Sequence, residues 1–141
     1  MGKKRIISKG EGEEGAAKAV SASSKRRIEH GVLFVNSTYN NTLVSLLNGE
    51  GQMILWSSSG SLGYKGAKKG TPFAAGKVGE LLADKALALG LKEIDVIIKG
   101  VGAGRESSIR SFASKGIVIN SIKDKTPMAW GGCKAKKPRR I

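Results

Sequence analysis

An amphipathic helical stripe separates three closely spaced β-forming runs from a fourth, and that spacing decides what the chain can fold into. Thr71 is a suitable N-cap, and Pro72 fits the first helical position, where a missing N–H leaves no bond unmade. From there Ala74, Val78, Leu81, Leu82, Ala86 and Leu89 recur at helical spacing, with Lys77, Glu80 and Asp84 off the stripe. Gly90 supplies the stop. Upstream lie Val32-Leu33-Phe34-Val35, Thr42 to Leu47 and Met53 to Ser57, each short, apolar and rich in β-formers. Ser37 to Asn40 and Asn48 to Gly51 are the turns between them, too short for anything but an antiparallel meander. The continuous first run predicts a strand buried on both faces.

Downstream, Ile94, Val96, Ile97 and Ile98 form a fourth run. A second helix is predicted from about Gly104, offering Ile109, Phe112 and Ala113 to the core and ending at Gly116. Ile117 to Ile122 is the fifth run. A helix between strands favours a crossover and parallel pairing. The expectation is an α/β fold with a mixed five-stranded sheet in the order 3-2-1-4-5 and two helices packed on it.

The 141 residues suffice for one compact domain. Their formal net charge of +14 is uneven. Residues 1–29 contribute +4, residues 30–124 another +4, and residues 125–141 contribute +6 with no acid at all. Residues 1–29, poor in large apolar groups, are expected to form a mobile arm. Residues 30–124 form the α/β domain, and residues 125–141 a basic tail. A surplus of this kind favours a polyanionic partner.

The basic residues are not scattered. Lys65, Lys68 and Lys69 alternate with Gly63, Gly66 and Gly70, around Tyr64, with no acid between Glu50 and Glu80. This stretch runs into the Thr71-Pro72 helix start. Flexible backbone, positive charge, an aromatic ring and a helix N-terminus suit phosphates and unpaired bases. A solvated surface loop has the same composition.

Lys99 to Ser107 is a second glycine-rich segment between a strand and a helix. Its glycines can bring backbone N–H groups to an oxyanion, and Arg105 can make a bidentate phosphate contact beside the Gly102–Gly104 turn. The competing role for Arg105 is a structural partner of a nearby acid such as Glu106. The dinucleotide spacing fails, because Arg105 stands where the third glycine belongs, and there is no Gly-Lys-Ser/Thr. A nucleotide-dependent enzyme is therefore a weaker reading than RNA binding.

Other chemistry is poorly supplied. His30 to Gly49 contains no Asp or Glu, so the carboxylate cluster of a metal-dependent nuclease is missing from the first hairpin. One histidine, His30, and one cysteine, Cys133, fill neither a zinc site nor a disulfide. No metal, cofactor or membrane span is expected. The lone cysteine and the absence of a secretory apolar core predict a reducing, cytoplasmic setting. The tail from Lys125 to Ile141 carries Lys134, Lys136, Lys137, Arg139 and Arg140 with Trp130, a composition suited to following RNA phosphates.

Taken together and in order, Asn40-Asn41-Thr42, Gly63-Tyr64-Lys65-Gly66 with Lys68-Lys69, Thr71 to Ala75, Gly100 to Ser107, Asp124 to Pro127 and the terminal basic cluster are similar to a known family. They resemble the bacterial-type small-subunit ribosomal protein eleven family across about residues 30–141. The resemblance implies a ribonuclease-H-like fold without nuclease activity. It also implies a place on the platform of the small subunit, bridging small-subunit rRNA helices and helping to form the cleft for the mRNA Shine–Dalgarno duplex. Implied neighbours are small-subunit proteins seven and eighteen, and contact with initiation factor three is attributed to the family. The alternative to this ribosomal role is a non-ribosomal RNA- or nucleoid-binding protein. Carried over by motif, the RNA-facing candidates are Asn40, Asn41, Tyr64, Lys65, Lys68, Lys69, Gly102, Gly104, Arg105 and the basic tail. Two departures stand out. Val101 and Ala103 replace two prolines of the family loop, and Trp130-Gly131-Gly132-Cys133 stands where the family has His-Asn-Gly-Cys.

Overall fold

The structure, a computed structural model, describes residues 27–140. Most of the expected N-terminal arm lies outside the described residues. Its last residues belong to the folded body: Ile28 N–H donates to the Leu89 carbonyl at 3.2 Å, and the Glu29 carbonyl accepts from Lys92 N–H at 2.9 Å.

Five strands and two helices follow in the expected order. β1 spans His30–Ser37, β2 Thr42–Leu47 and β3 Met53–Ser58, and α1 spans Pro72–Ala88. β4 spans Glu93–Lys99, α2 Gly104–Ser114 and β5 Val118–Asp124. The sheet order is β3-β2-β1-β4-β5, with β1–β2 and β2–β3 antiparallel and β1–β4 and β4–β5 parallel. The β2–β3 turn is held by Asn48, whose side-chain oxygen accepts from Glu50 N–H at 3.0 Å and Gln52 N–H at 2.8 Å.

Both helices pack on one face of the sheet and against each other. Val78, Leu82, Ala83 and Ala86 of α1 and Ile109 and Phe112 of α2 share one buried cluster with Leu33, Val35, Val44, Leu46, Ile94 and Val96. This corrects the expectation for the first run. Leu33 and Val35 are buried, whereas Val32 and Phe34, on the opposite face, are only half-buried because no helix covers them.

The helices approach nearly backbone to backbone. A Cβ added at Gly79 would lie 2.6 Å from the Ser108 carbonyl oxygen and 2.9 Å from Ser111 Cβ. Ser111 Oγ donates across this crossing to the Gly76 carbonyl at 2.9 Å. α1 therefore buries Ala75 and Gly79 in addition to its sheet-facing stripe, while Leu81 and Leu89 are only half-buried. On α2, Ala113 is exposed rather than part of the core, since Ile109, Phe112 and Ser111 already face the sheet and α1.

Candidate nucleic-acid interface

The turn joining β1 to β2 is the hub of one end of the sheet. Thr38 N–H donates to the Asn41 carbonyl at 2.8 Å, and Asn41 N–H donates to Thr38 Oγ1 at 3.1 Å. Beneath it, the buried Ser37 and Thr42 hydroxyls lie 3.3 Å apart. This tight turn holds Asn40 outward and leaves Asn41 half-buried, its side-chain oxygen enclosed without a hydrogen-bond partner. Tyr39, 80% exposed, projects from the same turn. It is absent from the sequence-derived candidates, although an aromatic residue at a turn tip beside two asparagines was a usable signal.

Both glycine-rich segments dock on this turn. A Cβ at Gly70 would collide with the Tyr39 carbonyl, and one at Gly100 or Gly102 with the Ser37 or Thr38 carbonyl. A Cβ at Gly104 would meet Thr42 Oγ1 and come within 2.6 Å of Ala75 Cβ. The glycines thus allow protein backbone to approach protein backbone. Their absent side chains bring the first and second basic loops to the same end of the sheet.

In the first loop, Ser61 is tied back to β3: its Oγ donates to the Ser58 carbonyl at 2.8 Å and accepts from Ser58 N–H at 2.9 Å. Gly63 and Gly66 take positive φ values of 90° and 61°. A short 3-10 helix, Gly66–Gly70, then carries Lys68 and Lys69. Thr71 caps α1 as expected, its Oγ1 accepting from Ala74 N–H at 3.3 Å and donating to the Lys68 carbonyl at 2.7 Å. Lys65 and Lys68 are exposed and Lys69 half-buried, and none of the three is in an ion pair among the described residues. Tyr64 is half-buried, its ring perpendicular to that of Phe73 with centroids 6.4 Å apart.

The second loop is arranged differently from a phosphate cradle. Gly100 N–H donates to Thr126 Oγ1 at 3.1 Å, and Gly102 N–H donates to the Ser37 carbonyl at 2.9 Å. Gly102 and Gly104 are buried. They shape the loop and present no surface of their own to an RNA. Two N–H groups that a nucleotide loop would need are already bonded inside the protein, which removes the geometric ground for the nucleotide-dependent enzyme.

Arg105 is also partly committed. Its guanidinium donates to the Gly100 carbonyl at 3.1 Å and to Asp124 Oδ2 at 2.5 Å. Its acidic partner is Asp124, not Glu106. The side chain keeps 31% exposure. Asp124 Oδ1 in turn accepts from the Thr126 hydroxyl at 2.5 Å and from Thr126 N–H at 2.9 Å. The Thr126 hydroxyl, then its N–H, then Arg105 hold the Asp124 carboxyl down, from 3.8 to about 2. Lys125 N–H adds a bond to the Ile98 carbonyl at 2.8 Å, so the tail leaves from the same end of the sheet.

Beyond Thr126 the described tail has no regular secondary structure. Lys134, Lys136, Lys137, Arg139 and Arg140 are exposed, as is Trp130 at 96%. Among the described residues no group of three His, Cys, Asp or Glu side chains is placed to hold a metal, and no helix is long and apolar enough to cross a membrane.

Fold and charge thus define a small basic α/β domain whose loops, helix starts and tail converge at one end of its sheet. The family model for ribosomal protein S11 matches residues 31–140. The chain is 42% identical over 122 residues to the small ribosomal subunit protein uS11 of Thermosipho melanesiensis, covering 86% of this chain and 95% of that protein. The uS11 of Thermosipho africanus gives the same identity and coverage. The chain belongs to the ribosomal protein S11 family, whose members are structural, non-enzymatic components.

Proposed function

We propose that this chain, as a structural constituent of the small ribosomal subunit, binds small-subunit rRNA through the end of the sheet that gathers the Ser37–Asn41 turn, the lysine loop and the basic tail. The observation that carries this reading is the set of unpaired cations on the loop and the tail that leave this end. Lys65, Lys68, half-buried Lys69 and the five exposed basic residues of the tail have no ion-pair partners among the described residues, and the lysine loop docks on the turn that holds Asn40 outward. Phosphates recruit such charge without sequence preference, and the polar turn supplies hydrogen-bond donors and acceptors. Asn41, Tyr64 and Arg105 support this surface from half-buried positions, with Gly102 and Gly104 beneath.

The finer reading follows the family resemblance. The protein sits on the platform, bridges several rRNA helices and helps form the cleft that holds the mRNA Shine–Dalgarno duplex. Small-subunit proteins seven and eighteen are its neighbours, initiation factor three contacts it, and it works in the cytoplasm. The test is co-sedimentation of the full chain with small ribosomal subunits at high salt. Retention is expected, with loss on changing Lys65, Lys68 and Lys69 together to Ala. Release of the unaltered protein, with equal recovery on unrelated RNA or DNA, would overturn the proposal.

A further inference from the structure

Resting on that RNA-binding reading, we propose that Phe73 is a stacking platform for one unpaired nucleobase of the bound RNA. Tyr64, the ring that the sequence offers for this role, is half-buried with its ring perpendicular to that of Phe73. Phe73, one residue past the Pro72 start of α1, is 66% exposed.

An exposed aromatic residue alone needs no explanation. This one is held. Tyr64 meets it in a T-shaped contact, and Lys77 places its ammonium 5.8 Å from the ring centroid. Lys77 is itself held by Glu80 at 2.8 Å. One contact steadies the ring's position and the other is a cation–π contact over one face of it, so a base would stack on the opposite face.

The surroundings favour a base over an apolar protein side chain. Lys68 and Lys69 lie on the 3-10 helix that leads directly into α1, with Lys65 just before it. Glu80 and Asp84 line a groove of about 350 Å³ with Leu62, Tyr64, Lys77 and Leu81. Both carboxylates are paired, Glu80 with Lys77 at 2.8 Å and Asp84 with Lys115 at 2.7 Å, so this groove offers phosphate no unpaired cation. The RNA backbone is therefore directed over the lysines, and a base turned out from it reaches the Phe73 ring.

The test compares Phe73→Ala, Phe73→Leu and Phe73→Trp in the full chain, binding purified small-subunit rRNA. A stacked base predicts that Phe73→Ala weakens binding about 5- to 150-fold and that Phe73→Trp retains it. The slope of affinity against salt stays unchanged, because stacking releases no counterion. Phe73→Leu, which keeps apolar bulk and loses the π face, should behave like Ala. The thermal midpoint of all three should match the parent, since the ring contributes little to the core. Full affinity in Phe73→Ala or in Phe73→Leu overturns the inference. So does unchanged rRNA binding combined with poor incorporation into subunits, which would assign Phe73 to a protein contact. If changing Lys65, Lys68 and Lys69 to Ala lowers affinity and salt slope while Phe73→Ala does nothing, the RNA surface stands and only the stacking platform fails.

Discussion

Arg105 and Asp124, nineteen residues apart in sequence, are joined at 2.5 Å, so the first turn of α2 holds the end of β5. Asp124 completes the arrangement by accepting from Thr126, whose hydroxyl also accepts from Gly100 N–H. Three segments are thereby locked together: the second glycine loop, the helix start and the root of the tail. Asp124→Ala removes the common acceptor. The Gly100 amide should then exchange its hydrogen faster, and residues just beyond Thr126 should gain motion by NMR relaxation. Unchanged protection at Gly100 would show that the lock does not depend on the carboxylate.

The same pair separates two roles for Arg105. If its guanidinium only supports the loop, Arg105→Ala and Asp124→Ala weaken rRNA binding to similar extents. If its exposed part also meets a phosphate, Asp124→Ala keeps affinity, because the cation remains, while Arg105→Ala loses about 1.5–3 kcal/mol, the scale of a charged hydrogen bond. Filter-binding titrations of the two variants against the same rRNA decide between these outcomes.

Acid titration gives an independent check. The carboxyl of Asp124 is lowered from 3.8 to about 2, chiefly by the Thr126 hydroxyl, then Thr126 N–H and Arg105. A depressed carboxylate stabilises the fold above its unfolded pKa, and that contribution fades as pH falls through the folded value. The lock should be intact at pH 5 and be lost between about pH 4 and 2. Carbon-detected NMR of the Asp124 carboxyl should show its midpoint near the bottom of that window. A midpoint at the ordinary carboxylate value would mean that the Thr126 and Arg105 bonds do not persist in solution.

The strand and helix order was legible because each element carries its own period, and the short turns left few ways to pair the strands. Burial was less so. Val32, Leu33, Phe34 and Val35 look alike in sequence, and only the placement of both helices on one side distinguishes Leu33 from Phe34. At the site, Thr71-Pro72 and the lysines were readable because capping chemistry and charge are local. The role of Gly100, Gly102 and Gly104 was not. A glycine records that a side chain is missing; it does not record whether a phosphate or the carbonyls of Ser37 and Thr38 fill the space. Tyr64 and Phe73 were equally ambiguous, since which ring is left exposed depends on how the loop folds back onto α1.

The α1–α2 crossing offers a test of the scaffold apart from the RNA surface. Gly79→Ala puts a methyl group 2.6 Å from the Ser108 carbonyl and 2.9 Å from Ser111 Cβ. Neither neighbour is the end of a flexible chain, so the helices must move apart. Denaturant unfolding should show a loss of about 1–3 kcal/mol, the usual cost of overpacking. The salt slope of rRNA binding should be unaltered, because no cation is removed. A variant as stable as the parent would mean that the crossing is looser than the structure shows.

The tail tests how charge is divided along the interface. Lys134, Lys136, Lys137, Arg139 and Arg140 are exposed and in no regular element, so deleting residues 134–141 should leave the thermal midpoint of the domain unchanged. If all five side chains meet phosphate, each neutralises one charge on single-stranded RNA and releases about 0.7 of a counterion. The slope of log affinity against log salt should therefore become shallower by roughly 3 to 4. Base preference should not change, since phosphate contacts carry no sequence information. Replacing only Lys65, Lys68 and Lys69 by Ala should reduce the slope by about 2 on the same reckoning, from a separate part of the surface. A truncation that lowers the thermal midpoint would make the tail part of the fold. One that leaves the slope untouched would place these five charges in solvent and confine the RNA surface to the loops around the Ser37–Asn41 turn.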